Sequence, residues 1–272
     1  MTSAPPGRTG TSVTAPDLRC AASRSTARRL LDGAGRATLV AYRDDPDRPH
    51  AVLAHGMTPA DLVAVALHDG EGLPEPNQCG EVRLRIDQHG ADPSLRVATA
   101  SLHALAHLRV VDDSELDTLH SLDLLPTDVG WAAEAGAPVA LLALDRAVLH
   151  GQGGVSAHRL ADVVGEQTFP RAVEEWECRE IVAGLGRERT ENLLADVLAG
   201  RRPGSVGHEH RTPTSALTHA GRTLLADVDS TGCTWLRVEH DRTRTVFAAF
   251  PRPVTSVSEL GAAVAGLAQP AV

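Results

Sequence analysis

A strand-to-helix junction is predicted in residues 245–256, which read TVFAAFPRPVTS. The apolar run 245–250 predicts a strand, and Pro251 and Pro253 end it because proline cannot donate a ladder hydrogen bond. Ser256 and Glu259 then have the spacing of a capping box, which marks a helix N-terminus. The next apolar residues recur at helical spacing, at Leu260, Ala263, Val264 and Leu267. This pattern predicts a C-terminal helix that lies on a sheet.

Working back from the junction, the pattern predicts a small α+β domain over residues 166–272. Three strands are expected at 223–229, 233–239 and 243–250, and the short turns between them favour a meander. Helical periodicity covers 171–198, with a break at Gly186 and a C-terminal cap at Gly200. A polar loop is predicted over 200–218.

The first part of the chain predicts a closed or split antiparallel β-barrel, residues 17–165. Short apolar runs separated by turn signals are typical of such barrels. The runs lie at 37–42, 51–54, 62–67, 81–86, 95–111, 139–144, 147–150 and 155–160. Helices are predicted at 21–31 and 114–122. Residues 1–16, rich in Ser, Thr, Pro and Gly, predict a disordered tail.

Composition excludes several function classes. All 26 basic residues are arginine, so Schiff-base chemistry on lysine and a P-loop are excluded. The net charge of -9, without a basic patch larger than an arginine pair, predicts no nucleic-acid partner. Cys20, Cys79, Cys178 and Cys233 form no CxxC pair, which argues against a zinc knuckle or thioredoxin-type site. With no apolar segment of membrane-spanning length, we expect a cytoplasmic protein with no membrane partner.

Four residues of one predicted strand share a face, because strand side chains alternate: His103, Leu105, His107 and Arg109. Two imidazoles and a guanidinium are suited to hold an anionic cofactor or to ligate iron. The alternative is that this is the solvent face of a barrel strand.

Other histidines are further candidates. His150 and His158 flank the turn 151–154, a position that is typical of hairpin surface histidines. The glycine-rich turn itself favours a β-turn over a phosphate cradle. The densest cluster, His208-Glu209-His210 with His219, offers either transition-metal ligands or a solvated polar loop within 208–219.

The C-terminal residues resemble a known domain of unknown function. The resemblance rests on Asp227-Val228-Asp229, Gly232, the junction 250–254 and Glu259-Leu260. In haem-utilisation proteins that domain is attached to a split barrel of the pyridoxamine-phosphate-oxidase-like, FMN-binding class. The resemblance implies a homodimer formed through the barrel, with ligand sites at the interface and haem or FMN as cofactor. It also implies that a histidine near the end of the barrel, His150 or His158, ligates iron.

The chain also departs from that family. Two family histidines at the start of the C-terminal domain fall on Gly184 and Arg189, and region 55–72 has no aromatic residue and no basic residue except His55 and His68. The leading hypothesis is therefore a cofactor-poor binding or regulatory protein with a protein partner, and with no catalytic or metal residues assigned. The alternative is a haem- or flavin-binding protein whose cofactor contacts His103, His107, Arg109 and His150.

Overall fold

The computed structural model describes residues 15–72, 74–76, 78–90, 98–151, 154–164, 168–207, 209–212 and 214–269. The helices of the described residues are α1 (Ala15–Leu31), α2 (Asp113–Ser121), α3 (Thr127–Glu134), α4 (Leu160–Val163), α5 (Glu175–Ala183), α6 (Gly186–Leu198) and α7 (Val257–Leu267). The strands are β1 (Arg36–Val40), β2 (Pro49–Met57), β3 (Val63–Leu67), β4 (Cys79–His89), β5 (Ala98–Val110), β6 (Val139–Ala143), β7 (Arg146–Gly151), β8 (Gly154–Arg159), β9 (Gly204–Val206), β10 (His210–Arg211), β11 (Arg222–Asp229), β12 (Gly232–Val238) and β13 (Arg242–Ala249).

The first six strands close an antiparallel barrel in the order β1-β2-β3-β6-β5-β4, with β4 pairing back to β1. Alternation along each strand sends one set of side chains inward, and Leu39, Leu84 and Leu102 are fully buried there. The strand β3 is buried on both faces because α3 covers its outer side, where Ala64 packs near Val129. The predicted barrel is confirmed.

The long strand β5 carries a hairpin out of the barrel. Its second half pairs with β6, while its first half pairs with β7, as Ser101 opposite His150 shows. The strand β7 then pairs with β8, which is the last strand of the sheet. One thirteen-residue strand thus contributes both to the barrel wall and to a projecting hairpin.

The C-terminal part is the predicted meander of β11, β12 and β13 with helices packed against it. Trp235, Leu194 and Leu260 lie in its core. At the junction quoted above, the Ser256 side chain accepts from the Glu259 N–H, as the capping-box spacing predicts. The Glu259 carboxylate accepts from the N–H of Thr255 rather than that of Ser256, at 2.8 Å. The α+β fold class is confirmed.

The helix α1 joins the two parts. Its last turns place Leu30 and Leu31 in the barrel core, while the buried Arg29 guanidinium binds the Asp227 carboxylate of β11. Gln88 of the barrel donates to the same carboxylate from Nε2, at 3.0 Å. Residues of β4, α1 and β11 therefore meet in one buried polar junction.

Several element bounds differ from expectation. The helix α1 begins at Ala15, so the last two residues of the predicted tail are helical, and the rest of that tail lies outside the described residues. Helix α3 was not predicted, because its eight residues carry too few apolar positions for a clear period. The strands β9 and β10 lie in the predicted polar loop, where pairing with β13 decides the conformation. The predicted domain boundary falls at 165–167, outside the described residues.

Within the described residues, no helix is long and apolar enough to cross a membrane.

Candidate ligand-binding cleft

A cleft of about 570 Å³ lies between α1, the β7–β8 hairpin and the C-terminal sheet. Small-molecule sites are commonly clefts of about 300–1,000 Å³ at junctions between structural units. The α1 cleft, as we call it, has walls from all three parts of the fold, so it exists only because the helix bridges them.

One wall of the α1 cleft is polar. Ser23 of α1 faces Ser156 and His158 of β8, whose side chains share one face of that strand because they are two residues apart. The Ser23 Oγ lies 2.9 Å from the His158 Nε2, the Ser156 Oγ lies 3.1 Å from the same nitrogen, and the two hydroxyl oxygens are 2.5 Å apart. We call these three side chains the polar trio.

The imidazole of the trio is neutral at physiological pH. His158 is 8% exposed, and its burial lowers the pKa, as does the positive charge of Arg24, while Asp162 acts in the opposite direction. A neutral imidazole has one N–H and one acceptor nitrogen, so it can serve either role towards a ligand.

Two arginines of α1 also line the α1 cleft. Arg19 donates from Nη2 to the carbonyl oxygen of Val206, at 3.1 Å, and so reaches across to β9. Among the described residues, no acidic side chain pairs with Arg19 or Arg24. The polar wall therefore carries two positive guanidinium charges and one exposed negative carboxylate, that of Asp162.

The remaining walls are largely apolar or carry small hydroxyl side chains. Ala100 of β5, Leu149 of β7 and Phe247 of β13 supply carbon surface. Phe247 is 6% exposed and is the aromatic residue of this lining. An apolar pocket with a few convergent polar groups is the usual form of a small-molecule site.

A buried carboxyl lies beside these walls. Asp229 accepts hydrogen bonds on Oδ1 from the Thr231 N–H at 2.6 Å and from the Gly232 N–H at 3.1 Å. Burial raises the pKa of Asp229 to about 6, with the nearby Asp227 adding to the shift and Arg29 opposing it. Its charge therefore changes in a range close to physiological pH.

The predicted site residues lie elsewhere, on the outer face of β5. The His103 and His150 rings meet edge to face with centroids 5.3 Å apart. Burial lowers the pKa of His103, and His150 and Arg85 lower it further. The structure therefore brings these two predicted residues together. His103 and His107 line a hollow of about 700 Å³ on this face, together with Leu105 and Val148.

His107 and Arg109 do not join that pair. His107 lies four positions along the strand from His103, roughly 13 Å, so its ring does not contact the ring of His103. Arg109 binds the Glu115 carboxylate of α2 through both terminal nitrogens, and the Nη2–Oε1 contact is 2.7 Å. That hydrogen bonding lowers the pKa of Glu115. Arg109 thus holds a helix to the barrel.

The histidine cluster of the 208–219 loop forms no metal site among the described residues. His208 lies outside them, and His210 is exposed. Glu209 pairs with Arg244 and Arg242 of β13. His219 is buried, with its Nδ1 located 3.3 Å from Nη1 of Arg222. The alternative that this loop binds a metal therefore has no support in the arrangement of its described side chains.

His55, one of the two histidines of region 55–72, faces α1. His55 is buried, and its Nε2 lies 2.7 Å from the carbonyl oxygen of Leu30 in α1. Burial lowers its pKa, so it remains neutral. Gly184, where the family carries a histidine, is the C-cap of α5.

Sequence reasoning named His158 but missed the other groups of the α1 cleft. Ser23, Arg19 and Arg24 belong to no motif, and they face β8 and β9, more than 130 residues away. The signal that could have found them is the helical spacing of 19, 23 and 24, which puts three polar side chains on neighbouring positions of one helix.

No protein-family model matches this chain, and no curated protein does. Among solved structures, a haem-binding protein from Mycobacterium smegmatis is similar with a TM-score of 0.46 and 15% identity, over 91% of this chain and 96% of that one. A protein of unknown function from Agrobacterium tumefaciens has a TM-score of 0.34 and 17% identity, over 98% of this chain and all of the other.

Proposed function

We propose that this protein is a small-molecule-binding protein whose ligand occupies the α1 cleft. The observation that carries the proposal is the cleft itself, where a buried imidazole, two hydroxyls and an apolar floor converge from three parts of the fold. Convergence of polar groups with a shifted pKa in an apolar cleft favours binding over a purely structural role.

Haem and FMN are the first ligands to test, because the sequence resembles a barrel family that uses them. The lining offers His158 and Cys20 as nitrogen and sulfur ligands for iron, and Arg19 and Arg24 as partners for propionates or a phosphate. Phe247 supplies one ring face, which is less than flavin sites commonly provide.

A second candidate site is the outer face of β5, favoured by the contact between His103 and His150. Leu105 beside it is 63% exposed in the middle of a strand. We propose that a second copy of the chain covers this face in a homodimer, which would enclose a ligand held by His103. Light scattering of the purified protein tests this: a monomer at all concentrations would rule it out.

Haemin titration followed by absorption spectroscopy separates the two sites. If the ligand is haem in the α1 cleft, His158→Ala shifts or abolishes the Soret band of the complex and His103→Ala leaves it unchanged. The outer-face site predicts the reverse. FMN fluorescence quenching with the same two variants tests the flavin.

Failure of both titrations leaves the regulatory hypothesis, a cofactor-free protein that binds a protein partner. In that case purification from the native cell would yield a stoichiometric complex. If neither a ligand nor a partner is recovered, binding is not the function of this chain.

A further inference from the structure

The number of hydrogens in the polar trio does not match the number of its hydrogen-bonding contacts. Each hydroxyl has one hydrogen, and a neutral imidazole nitrogen has one or none. If the His158 Nε2 is bare, two hydrogens serve three contacts among Ser23, Ser156 and His158, and one contact lacks a hydrogen. If that nitrogen is protonated, one hydroxyl hydrogen has no acceptor within the trio.

An oxyanion removes this mismatch. With the His158 Nε2 protonated, two of the three hydrogens stay within the trio, and the oxyanion accepts the third, the hydroxyl hydrogen that has no acceptor there. Hydrogen bonds to a charged acceptor are roughly twice as strong as neutral ones. A cation would have the carboxylate of Asp162 as a charged partner but would lie in the same cleft as the two positive charges of Arg19 and Arg24.

The charges around the trio favour the same ligand. Arg19 and Arg24 line the cleft on the α1 side, and the positive charge of Arg24 already acts on His158. Asp229 also lines the cleft, but its carboxylate is turned to Thr231 and Gly232 and lies close to Arg29. The polar wall therefore attracts negative charge.

We infer that the α1 cleft selects ligands in which an oxyanion is attached to an apolar body. The oxyanion, a carboxylate, sulfonate or phosphate ester, binds the polar trio, and the body lies against Leu149 and Phe247. Leu149 is paired directly with Ser156 across the hairpin, so the apolar contact begins beside the oxyanion. This inference rests on the proposed function, since both use the same cleft.

Two fluorescent probes that share an aromatic body test the inference. One is 1-anilinonaphthalene-8-sulfonate, and the other is the uncharged N-phenyl-1-naphthylamine. We expect the sulfonate to bind at least about tenfold more tightly, as charge-assisted hydrogen bonds imply. Equal binding of the two overturns the inference and leaves the proposed function standing, whereas binding of neither contradicts both.

Variants show which side chains cause the difference in affinity between the sulfonate and the neutral probe. The double change Ser23→Ala with Ser156→Ala should bring the sulfonate down to the affinity of the neutral probe and leave the neutral probe unaffected. Ser101→Ala, on the outer face of β5, is the matched control and should change nothing. Arg24→Gln, at an exposed position that the fold does not need, should weaken the sulfonate alone. If the double serine variant and Arg24→Gln both still bound the sulfonate as much more tightly than the neutral probe as the native protein does, the inference would be overturned.

Competition identifies the headgroup. Octanoate and octyl phosphate should displace the bound sulfonate, and octanol should fail at the same concentration. Displacement by the phosphate alone points to a phosphate ester, and displacement by both to any oxyanion. Displacement by octanol as well as by the two acids shows that the apolar walls alone select the ligand, which contradicts the inference.

Discussion

The α1 cleft and the outer face of β5 both present histidines, but they differ in what surrounds them. His158 is 8% exposed, and its Nε2 has two hydroxyl neighbours from different parts of the chain. His103 is half-buried and has Ser101 of its own strand as its hydrogen-bond partner, at 3.1 Å. Alternation along one strand presents side chains, whereas a site requires groups that a second and a third element bring to it.

The largest expected effect comes from the junction that holds α1 over the cleft. Arg29→Met removes a fully buried guanidinium and leaves Asp227 and the buried carboxyl of Asp229 without their cation. Breaking a buried pair in this way destabilises by about 3–5 kcal/mol. Urea unfolding measures it. Arg43→Met is the control, because its pair with Glu81 is exposed and worth at most about 1 kcal/mol.

Equal losses of unfolding free energy in these two variants would show that the junction stabilises the protein no more than a surface ion pair does. In that case the junction would not hold α1 in a fixed position over the cleft.

The next effect is a pH dependence of stability that comes from the buried carboxyl of Asp229 beside the cleft. Because the folded-state pKa of Asp229 is raised to about 6 by burial, its contribution to stability is full below the unfolded pKa and is lost as the pH rises through about 6. Asp229→Asn removes that loss. Between about pH 4 and pH 7, the variant should gain up to roughly 3 kcal/mol in unfolding free energy relative to the native protein.

Glu115→Gln, on the side of the outer face of β5, should instead lose stability relative to the native protein as the pH rises, because Arg109 lowers the pKa of Glu115. Chemical denaturation across the pH range provides the measurement, and parallel curves for the native protein and Asp229→Asn would contradict the assignment.

A smaller effect is expected on the outer face, at Arg109. The pair with Glu115 is bidentate, but both side chains are about one-third exposed, at 32% and 31%. Exposed pairs contribute about 0.2–1 kcal/mol, so Arg109→Gln should lower stability by less than about 1 kcal/mol. A loss of several kcal/mol in thermal unfolding would mean that this face is covered in solution.

The smallest expected change in stability tests whether the outer face of β5 is exposed to solvent or covered by a second copy of the chain. Leu105 is 63% exposed, so Leu105→Ser should change the stability of a monomer by no more than about 0.5 kcal/mol. In the proposed homodimer the same substitution would lower the dimer population at low protein concentration. Sedimentation at two concentrations distinguishes these outcomes.

Much of the architecture could be read from local pattern. The capping spacing of Ser256 and Glu259 and the meander before it depend on neighbours within a few residues, and both are present. Turns and apolar alternation likewise predicted the barrel strands. The helix α3 and the short strands β9 and β10 were missed because their local pattern is weak and tertiary contacts decide them.

The candidate site was much less predictable. The sequence indicated that His103, Leu105, His107 and Arg109 share a face, and that part is correct, since strand geometry alone requires it. It could not indicate that Arg109 turns to Glu115, or that His103 meets His150 from another strand. Such contacts depend on which elements become neighbours.

By itself the sequence determined the strand-to-helix junction, the meander and the absence of lysine chemistry, because each follows from residues close together or from composition. The tertiary structure decided where a ligand can bind. Ser23 and His158 are 135 positions apart, and they meet because Leu30 and Arg29 anchor α1 to the barrel core and to Asp227. Burial of that one helix between two sheets, which no local pattern contains, creates both the cleft and its polar wall.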